Sequence, residues 1–576
     1  MNLKQFFPIL EWLPTYTKSH FSRDLIAGLT VAVLLVPQGM AYALLAGMPP
    51  IYGLYGGLIP LFIFGVLGTS RQMSIGPVAV SSLLILAGIS QIAEPFSPAY
   101  ISFALLTGLL TGIFQFLLGI IRLGFLANFL SRPIVAGFTS AAAVIIGVSQ
   151  LSSLFGFAIP RDLSLLNKLQ YAISNISQTH LPTLYFCIGG ILVMSIFKKI
   201  HRSIPGSLIC VILGSLLVYY LQLHQQGIKI VGSVPQGLPS FQLPDWSIAS
   251  IKLVFPTVLT VTIIGIVESL SIAKVLESKH QYYKIQPNQE LMAIGVGKIF
   301  GAFFQAIPTS ASFSRSAINN EAGARTGVAS IITSLFIAIS LLFLTQLFYY
   351  LPNPILAAII LLSVKSLFDY KEAIHLWKTH KGDFSMMLFT FFATLGLGIE
   401  EGVLIGVVLS ILMVLYRIST PHIAVLGQIP DTRFYRNVSR FPDAEEVEGA
   451  VILRFDAPLF FGNAQYFKDT VEDLINERQD EIEVLILNAF SITDMDSSGL
   501  HALEEIHCFV ENKEIDLFIS GVRGPVRDLF HKAGFMEKIG PENQFMDMHQ
   551  AVAYFKDKEA FKGRKFKNVL QTNVEE

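Results

Sequence analysis

Between Asp24 and Arg417 the chain is a succession of apolar runs, roughly 14 of them, each about the 15 to 25 residues that a helix needs to cross a hydrocarbon core. In lipid a backbone must satisfy its own hydrogen bonds, so such runs fold as helices or not at all. Clear examples are Leu25 to Ala46, Ile101 to Ile121, Ala136 to Leu151, Phe255 to Ile272, Ile331 to Phe348 and Val403 to Tyr416. The expected class is a polytopic α-helical membrane protein. Charged residues make up only 14% of the chain, and about half of them fall after roughly Arg440, so a second region with a different solvent follows the first. With 41 Lys and Arg against 42 Asp and Glu, no basic excess exists to neutralise a nucleic-acid backbone. Cys187, Cys210 and Cys508 lack metal-ligand spacing, and neither a metal nor any other cofactor is expected.

Orientation follows from the basic residues. Lys4, Lys18 and Arg23 precede the first run, and Arg71, Arg122, Arg132, Lys198, Lys199, Arg202, Lys274, Lys279, Lys284, Arg325, Lys365, Lys371, Lys378 and Lys381 fall in alternate loops. The opposite loops, such as Gly47 to Ile51 and Leu351 to Pro354, are nearly free of Lys and Arg. This places both termini in the cytoplasm of a multi-pass protein, for a bacterium in its inner membrane. The segmentation is then an arm over residues 1–23, a transmembrane domain over 24–420, a linker over 421–443, a small cytoplasmic α/β domain over 444–558 and a charged, unstructured tail over 559–576. The α/β reading rests on the strand runs Ala450 to Phe455, Val484 to Leu487 and Asp516 to Ser520, alternating with helical spacing over Ala464 to Arg478 and Ser498 to Val510.

Two stretches break the apolar grammar at matching places in the two halves: Ser74-Ile75-Gly76-Pro77-Val78-Ala79-Val80-Ser81-Ser82 and Ile307-Pro308-Thr309-Ser310-Ala311-Ser312-Phe313-Ser314-Arg315. Both set a Pro at an expected helix start, with Pro77 and Pro308 suited to a first turn. A helix that begins inside the membrane offers unpaired N–H groups and the positive end of its dipole, which together attract an anion. The plain alternative is that the small residues only let helices pack closely. If each half holds seven segments, the halves insert with opposite orientation, as in transporters built from inverted repeats. Glu268 stands alone deep in a span, a candidate for carrying a proton or pairing with a cation, or else a hydrogen bond to a neighbouring helix. Arg315 either adds positive potential to the broken segments or anchors the inner membrane edge. Gln38 lies beside a Pro37 break, with Tyr42 one helical turn on, and either is a candidate wall of the same pocket. Lys298 sits in an apolar stretch, from which a lysine can snorkel to an interface.

Pro50-Ile51-Tyr52-Gly53-Leu54-Tyr55, then Gly68-Thr69-Ser70-Arg71 and Gly76-Pro77, resemble the signature of the SulP sulfate permease family, which includes the animal anion exchangers and prestin. Asn288-Gln289-Glu290-Leu291 and Phe313-Ser314-Arg315-Ser316-Ala317-Ile318-Asn319 are similar to two further motifs of that family, and the C-terminal domain resembles a STAS domain. The resemblance implies 14 membrane segments in two inverted seven-segment repeats, arranged as a core and a gate, usually in a homodimer. It implies an anion held by Val78, Ala79 and Val80 on the third segment and Ser312, Phe313, Ser314 and Arg315 on the tenth, with Gln38 and Tyr42 on the first. Glu268 matches an acidic position that is Glu in proton-coupled members and Asp in a sodium-coupled bicarbonate branch. Lys298 stands where a neutral residue is expected. Asp494-Met495-Asp496-Ser497-Ser498-Gly499 resembles the anti-sigma-factor antagonist motif, which makes Ser498 a candidate phosphorylation site, although Ser and Asp there also serve as ordinary helix caps.

The expected function is secondary active transport of a small inorganic anion, sulfate first, by proton symport through Glu268 and an elevator-like movement, with no enzymatic activity. Sodium-coupled bicarbonate uptake, chloride/bicarbonate exchange and dicarboxylate transport are alternatives. From other classes, an anion sensor would signal through Ser498, and a nucleobase permease would leave the STAS-like domain unexplained. The partners expected are the anion, a coupling proton or sodium ion, membrane lipid and a second copy of the chain.

Overall fold

The computed structural model describes residues 7–124, 131–160, 163–200, 206–280, 283–478 and 481–557. Lys4, Arg202 and the expected tail over 559–576 lie outside the described residues. The chain divides into two compact units, Met1–Ser410 and Ile411–Glu576, with the boundary inside the helix Ile399–Ser419.

The first unit is helical. Helix α1, Lys18–Leu45, starts where the Thr17 side chain accepts from the His20 N–H, and it continues through Pro37 as one element, so the break expected there is absent. Then come α2, Pro50–Gly56, and α3, Ile59–Leu67, followed by the strand β1, Ile75–Gly76, and the short helix α4, Ala79–Ile89. Next is α5, Pro98–Ile120. The second half repeats this order from α6, Ile248–Lys279, through α7, Pro287–Phe303, β2, Ser310–Ala311, α8, Phe313–Glu321, and α9, Val328–Ile339. Seven helical stretches among the described residues are long and apolar enough to cross a membrane, and four shorter apolar helices, α4 among them, accompany them. Helix α4 is short because the extended, Pro-containing strand before it takes up part of the run.

Glycines set how closely these helices approach. A Cβ on Gly53 would stand 1.9 Å from the Gly39 carbonyl oxygen, so α1 and α2 touch backbone to backbone. Gly112 on α5 and Gly295 on α7 do the same, each with its Cβ position under 3 Å from the other helix's backbone. With lipid tails as apolar as Leu, such close packing takes the place of the hydrophobic effect as the attraction between helices.

The second unit is a six-stranded sheet in the order β4-β3-β5-β6-β7-β8. Its strands are β3, Ile423–Gln428; β4, Tyr435–Asn437; β5, Gly449–Phe455; β6, Ile482–Asn488; β7, Asp516–Ser520; and β8, Gln544–Phe545. Strands β5 to β8 run parallel, while β3 lies antiparallel to both β4 and β5. Helices α10, Ala464–Glu477, and α11, Ser497–Glu511, cover one face, and α12, Met548–Lys556, packs on the other. The segment 421–443, expected as a linker, is therefore part of the sheet. Alternation along β3 buries Ala424 and Leu426 in one core and sets Ile423 and Val425 against the other, which only pairing with β5 makes favourable.

Two outcomes follow. A truncation after residue 443 strands β3 without β5 and exposes its apolar edge, so it should yield aggregated protein by size-exclusion chromatography, whereas truncation after 420 should remain monodisperse. Gly53→Ala should destabilise the helical unit by at least the about 1 to 3 kcal/mol usual for overpacking, since its obstacle is backbone, and be read as a lowered melting temperature in detergent.

Candidate functional site

The two broken segments meet. Strands β1 and β2 pair antiparallel, Ile75 with Ala311 and Gly76 with Ser310, so α4 and α8 leave this crossing in opposite directions and both present their N-terminal ends to it. Pro77 and Pro308 lie in the extended backbone before each helix and not in a first turn: the caps are Val78 and Ser312. A residue preceding Pro is driven to extended backbone, which suits a strand and defers the helix.

Each strand is tied down by side chains. The Ser312 N–H donates to the Ser74 carbonyl (2.9 Å), the Ser74 N–H to Ser316 Oγ (2.9 Å), and the Ala311 N–H to Ser269 Oγ (3.4 Å). These bonds satisfy backbone that would otherwise be orphaned at membrane depth. Gly56, at the end of α2, lies against both Pro77 and Thr309, where a Cβ would meet them at 3.0 and 3.3 Å.

Arg315 occupies the crossing. It is fully buried in the first turn of α8, where Ser312 Oγ accepts from its backbone N–H at 3.4 Å. Its Nη1 donates to the Pro77 carbonyl at 2.9 Å and to Gln38 Oε1 at 3.5 Å, while Nε and Nη2 have no acceptor among the described residues. A Cβ on Gly76 would stand 3.1 Å from Nη2, so only glycine lets the backbone approach the guanidinium this closely. A side chain this enclosed does not reach out to a membrane surface as an edge anchor does.

The other expected residues divide. Val78, Ala79 and Val80 are buried at the start of α4, whose first N–H groups have no intrahelical acceptor. Tyr42 is buried on α1, one turn from Gln38, beside Ser363 and near the guanidinium. Ser312 is buried with its hydroxyl 3.3 Å from that of Ser314, but Ser314 and Phe313 are exposed and touch neither Arg315 nor Gln38 by any hydrogen bond. Glu268, half-buried on α6, joins through β2: Ser310 Oγ donates to its Oε2 at 3.0 Å. Lys298 is buried at 3% exposure and does not snorkel. Ser498 lies apart, in the second unit, as the second residue of α11; the cap there is Asp496, whose carboxylate accepts from the Gly499 N–H at 2.8 Å.

Other polar residues that sequence reasoning assigned no role hold the crossing in place. Glu290 Oε1 accepts from the backbone N–H groups of Thr69 (2.7 Å) and Ser70 (2.6 Å) and from the Thr69 hydroxyl. Asn319 donates to the Gln72 carbonyl (2.9 Å), and Gln72 donates to the Ala324 carbonyl (3.1 Å). Asp24 caps the loop before α9 through the N–H groups of Arg325 (2.6 Å) and Thr326 (3.1 Å). Glu290 and Asn319 fall within quoted motifs, so the signal was present without a function attached.

An arrangement of two helix N-termini, a guanidinium with two open donor nitrogens and nearby hydroxyls favours a compact anion. Comparison with known proteins agrees in kind. Residues 21–390 match the Sulfate permease family and residues 441–551 the STAS domain. The chain is 39% identical over 566 residues to Sulfate transporter 4.1, chloroplastic, of Arabidopsis thaliana, covering 95% of this chain and 82% of that protein. It is 34% identical to High affinity sulfate transporter 2 of Stylosanthes hamata, over 97% of this chain and 88% of that one. Among solved structures, murine Slc26a9 in an inward-facing state superposes with a TM-score of 0.88 at 27% identity, covering 96% of this chain and 94% of that one. The transmembrane domain of the cyanobacterial bicarbonate transporter BicA matches at 0.60 and 20% identity over 69% of this chain and 98% of that one, a likeness of fold. The chain belongs to the sulfate permease family, whose members are membrane transporters and not enzymes, and it carries a STAS domain after its membrane-spanning part.

Proposed function

We propose that this protein is a secondary active transporter that takes up sulfate together with protons. The observation that carries the reading is the Arg315 guanidinium, buried between two helix N-termini with Nε and Nη2 open. A tetrahedral dianion meets that demand for charge and for acceptors. The names of the relatives, sulfate transporters of two plants, support the same substrate. Glu268 is the coupling group, because its carboxylate bonds the first residue of β2 and so senses the crossing directly. The plan of 14 segments in two inverted repeats fits the matching order of strand and half-helix in the two halves. Both termini, and with them the STAS domain, lie in the cytoplasm by the placement of Lys and Arg.

An elevator-like movement is supported by the way the helices are bonded. Glu290, Asn319, Asp24, Thr333 (to the Gly28 carbonyl, 2.9 Å) and Ser334 (to the Leu58 carbonyl, 2.7 Å) fasten α1 to α4 onto α7 to α9 as one body. Helices Arg132–Ser149 and Lys381–Leu397 form part of another, where a Cβ on Gly137 would stand 2.3 Å from the Met387 carbonyl oxygen. The first body carries the crossing and moves past the second.

Radiolabelled sulfate uptake into proteoliposomes under an inward proton gradient, with and without sodium and with bicarbonate, chloride and fumarate as competitors, tests substrate and coupling together. Accumulation that collapses with a protonophore and ignores sodium is expected; sodium-dependent or bicarbonate-specific flux would move the function to the rival anion. Arg315→Gln should weaken sulfate binding about 10- to 100-fold, the worth of one or two hydrogen bonds from a charged donor, read by competition binding. Glu268→Gln should lower proton-driven accumulation while sulfate exchange persists; uptake unchanged at acidic pH would remove Glu268 from coupling.

A further inference from the structure

Beside the crossing lies a second polar cluster that sulfate binding does not use. Lys298 on α7 is buried, and its Nζ has no hydrogen-bond partner among the described residues. Gln115 on α5 is fully buried with neither amide atom partnered, and the hydroxyls of Thr111, one turn earlier, and of Thr262 and Thr309 are likewise buried and unpartnered. Gly265 on α6 marks where Gln115 and Lys298 come together with Ser310. A Cβ there would stand 3.1 Å from Gln115 Nε2, 3.5 Å from Lys298 Nζ and 3.9 Å from Ser310 Oγ, the hydroxyl that donates to Glu268.

The charged groups around Lys298 are few. Glu268 faces it from α6, and Arg315 lies beyond the strand pair on α8. Helix α3 has no titratable side chain, and Tyr100 of α5 is engaged at the Ala46 carbonyl (2.6 Å). On α7 itself, Glu290 is two turns away and bonded to Thr69 and Ser70. A buried ammonium without an acceptor is costly, so its charge has to be balanced by the groups around it.

A body that slides through the hydrocarbon layer does so at least cost when its buried charges cancel. Empty, Arg315 cation and Glu268 anion cancel only if Lys298 is neutral. Loaded, sulfate at two negative charges cancels Arg315 and Lys298 only if Lys298 is charged and Glu268 is protonated. We propose that Lys298 is a second proton-exchanging group, so that two protons accompany each sulfate. One proton from the outer solution joins the Nζ lone pair and one joins the Glu268 carboxylate as sulfate enters, and both leave to the inner solution with it. This inference rests on the proton-driven sulfate reading above.

The test is the equilibrium sulfate accumulation of proteoliposomes at set proton gradients, with potassium and valinomycin fixing the membrane potential. Wild-type protein should accumulate sulfate about 100-fold per pH unit, independently of the imposed potential, as two protons per dianion require. Lys298→Arg keeps the charge but cannot release a proton, and Lys298→Met lacks both; each should fall to about 10-fold per pH unit at zero potential and become potential-sensitive. A wild-type ratio of about 10-fold with potential dependence overturns the proposal, as does either variant retaining about 100-fold. The wild-type ratio decides even where a variant fails to fold. No proton-driven sulfate accumulation at all would instead overturn the transport reading.

Discussion

The bond from Arg315 Nη1 to the Pro77 carbonyl joins two segments that are far apart in sequence, and the membrane unit is organised around it. Two strands of two residues each cannot sustain themselves in lipid, because every unpaired N–H or C=O there costs several kcal/mol, of order that of an unsatisfied buried group. The guanidinium donates to the Pro77 carbonyl, the Ser316 and Ser269 hydroxyls accept from the Ser74 and Ala311 N–H groups, the Ser312 N–H donates to the Ser74 carbonyl, and Gly76 and Gly56 keep the backbone close. Two half-helices can then start at membrane depth. The same guanidinium satisfies the crossing with one nitrogen and leaves two without an acceptor among the described residues, so under the proposed function structure and recognition draw on one side chain.

What was legible in the sequence was mostly local. Runs such as Ile101 to Ile121 announce α5, and the polar breaks at Ser74 and Ile307 announce that something other than a through-going helix lies there. That the two breaks meet follows from an inverted-repeat plan, but the register was not legible, because Ile75 pairs with Ala311 far along the chain and no spacing rule reaches that far. Pro77 and Pro308 illustrate the limit. A Pro before small residues reads equally as a first turn or as an extended lead-in, and only the strand pairing selects the second. Pro37 shows the converse, a Pro that reads as a break and is carried inside a long helix.

Lys298 shows the same limit: sequence leaves both snorkelling and a charge interaction with the coupling site open, and close Gly112–Gly295 packing, which encloses the side chain, removes the first. In the second unit, Ile423 to Leu426 was passed over as linker because four apolar residues form a strand only when β5 is there to pair with. Exposed Phe313 and Ser314 stand outside the hydrogen-bonded crossing although their neighbours on either side, Ser312 and Arg315, are buried in it. The helical turn, which sets adjacent residues on different faces, accounts for that split.

The distribution of polar contacts also bears on movement. Hydrogen bonds from Glu290, Asn319, Asp24, Thr333 and Ser334 all join helices that carry the crossing to one another. Where α1 meets the helix Asn353–Val364, the contact is instead a shared apolar cluster in which Leu35, Val36 and Met40 join Ile355, Leu356, Ile359 and Ile360. An apolar seam of this kind exchanges one set of dispersion contacts for another at small cost, which suits the proposed movement. Tyr42, beside Ser363, is a polar exception at this seam, one helical turn from Gln38 and near Arg315. Under the proposed function, a ligand that draws on the guanidinium changes the field at that hydroxyl, and so bears on a contact that the proposed sliding would have to part.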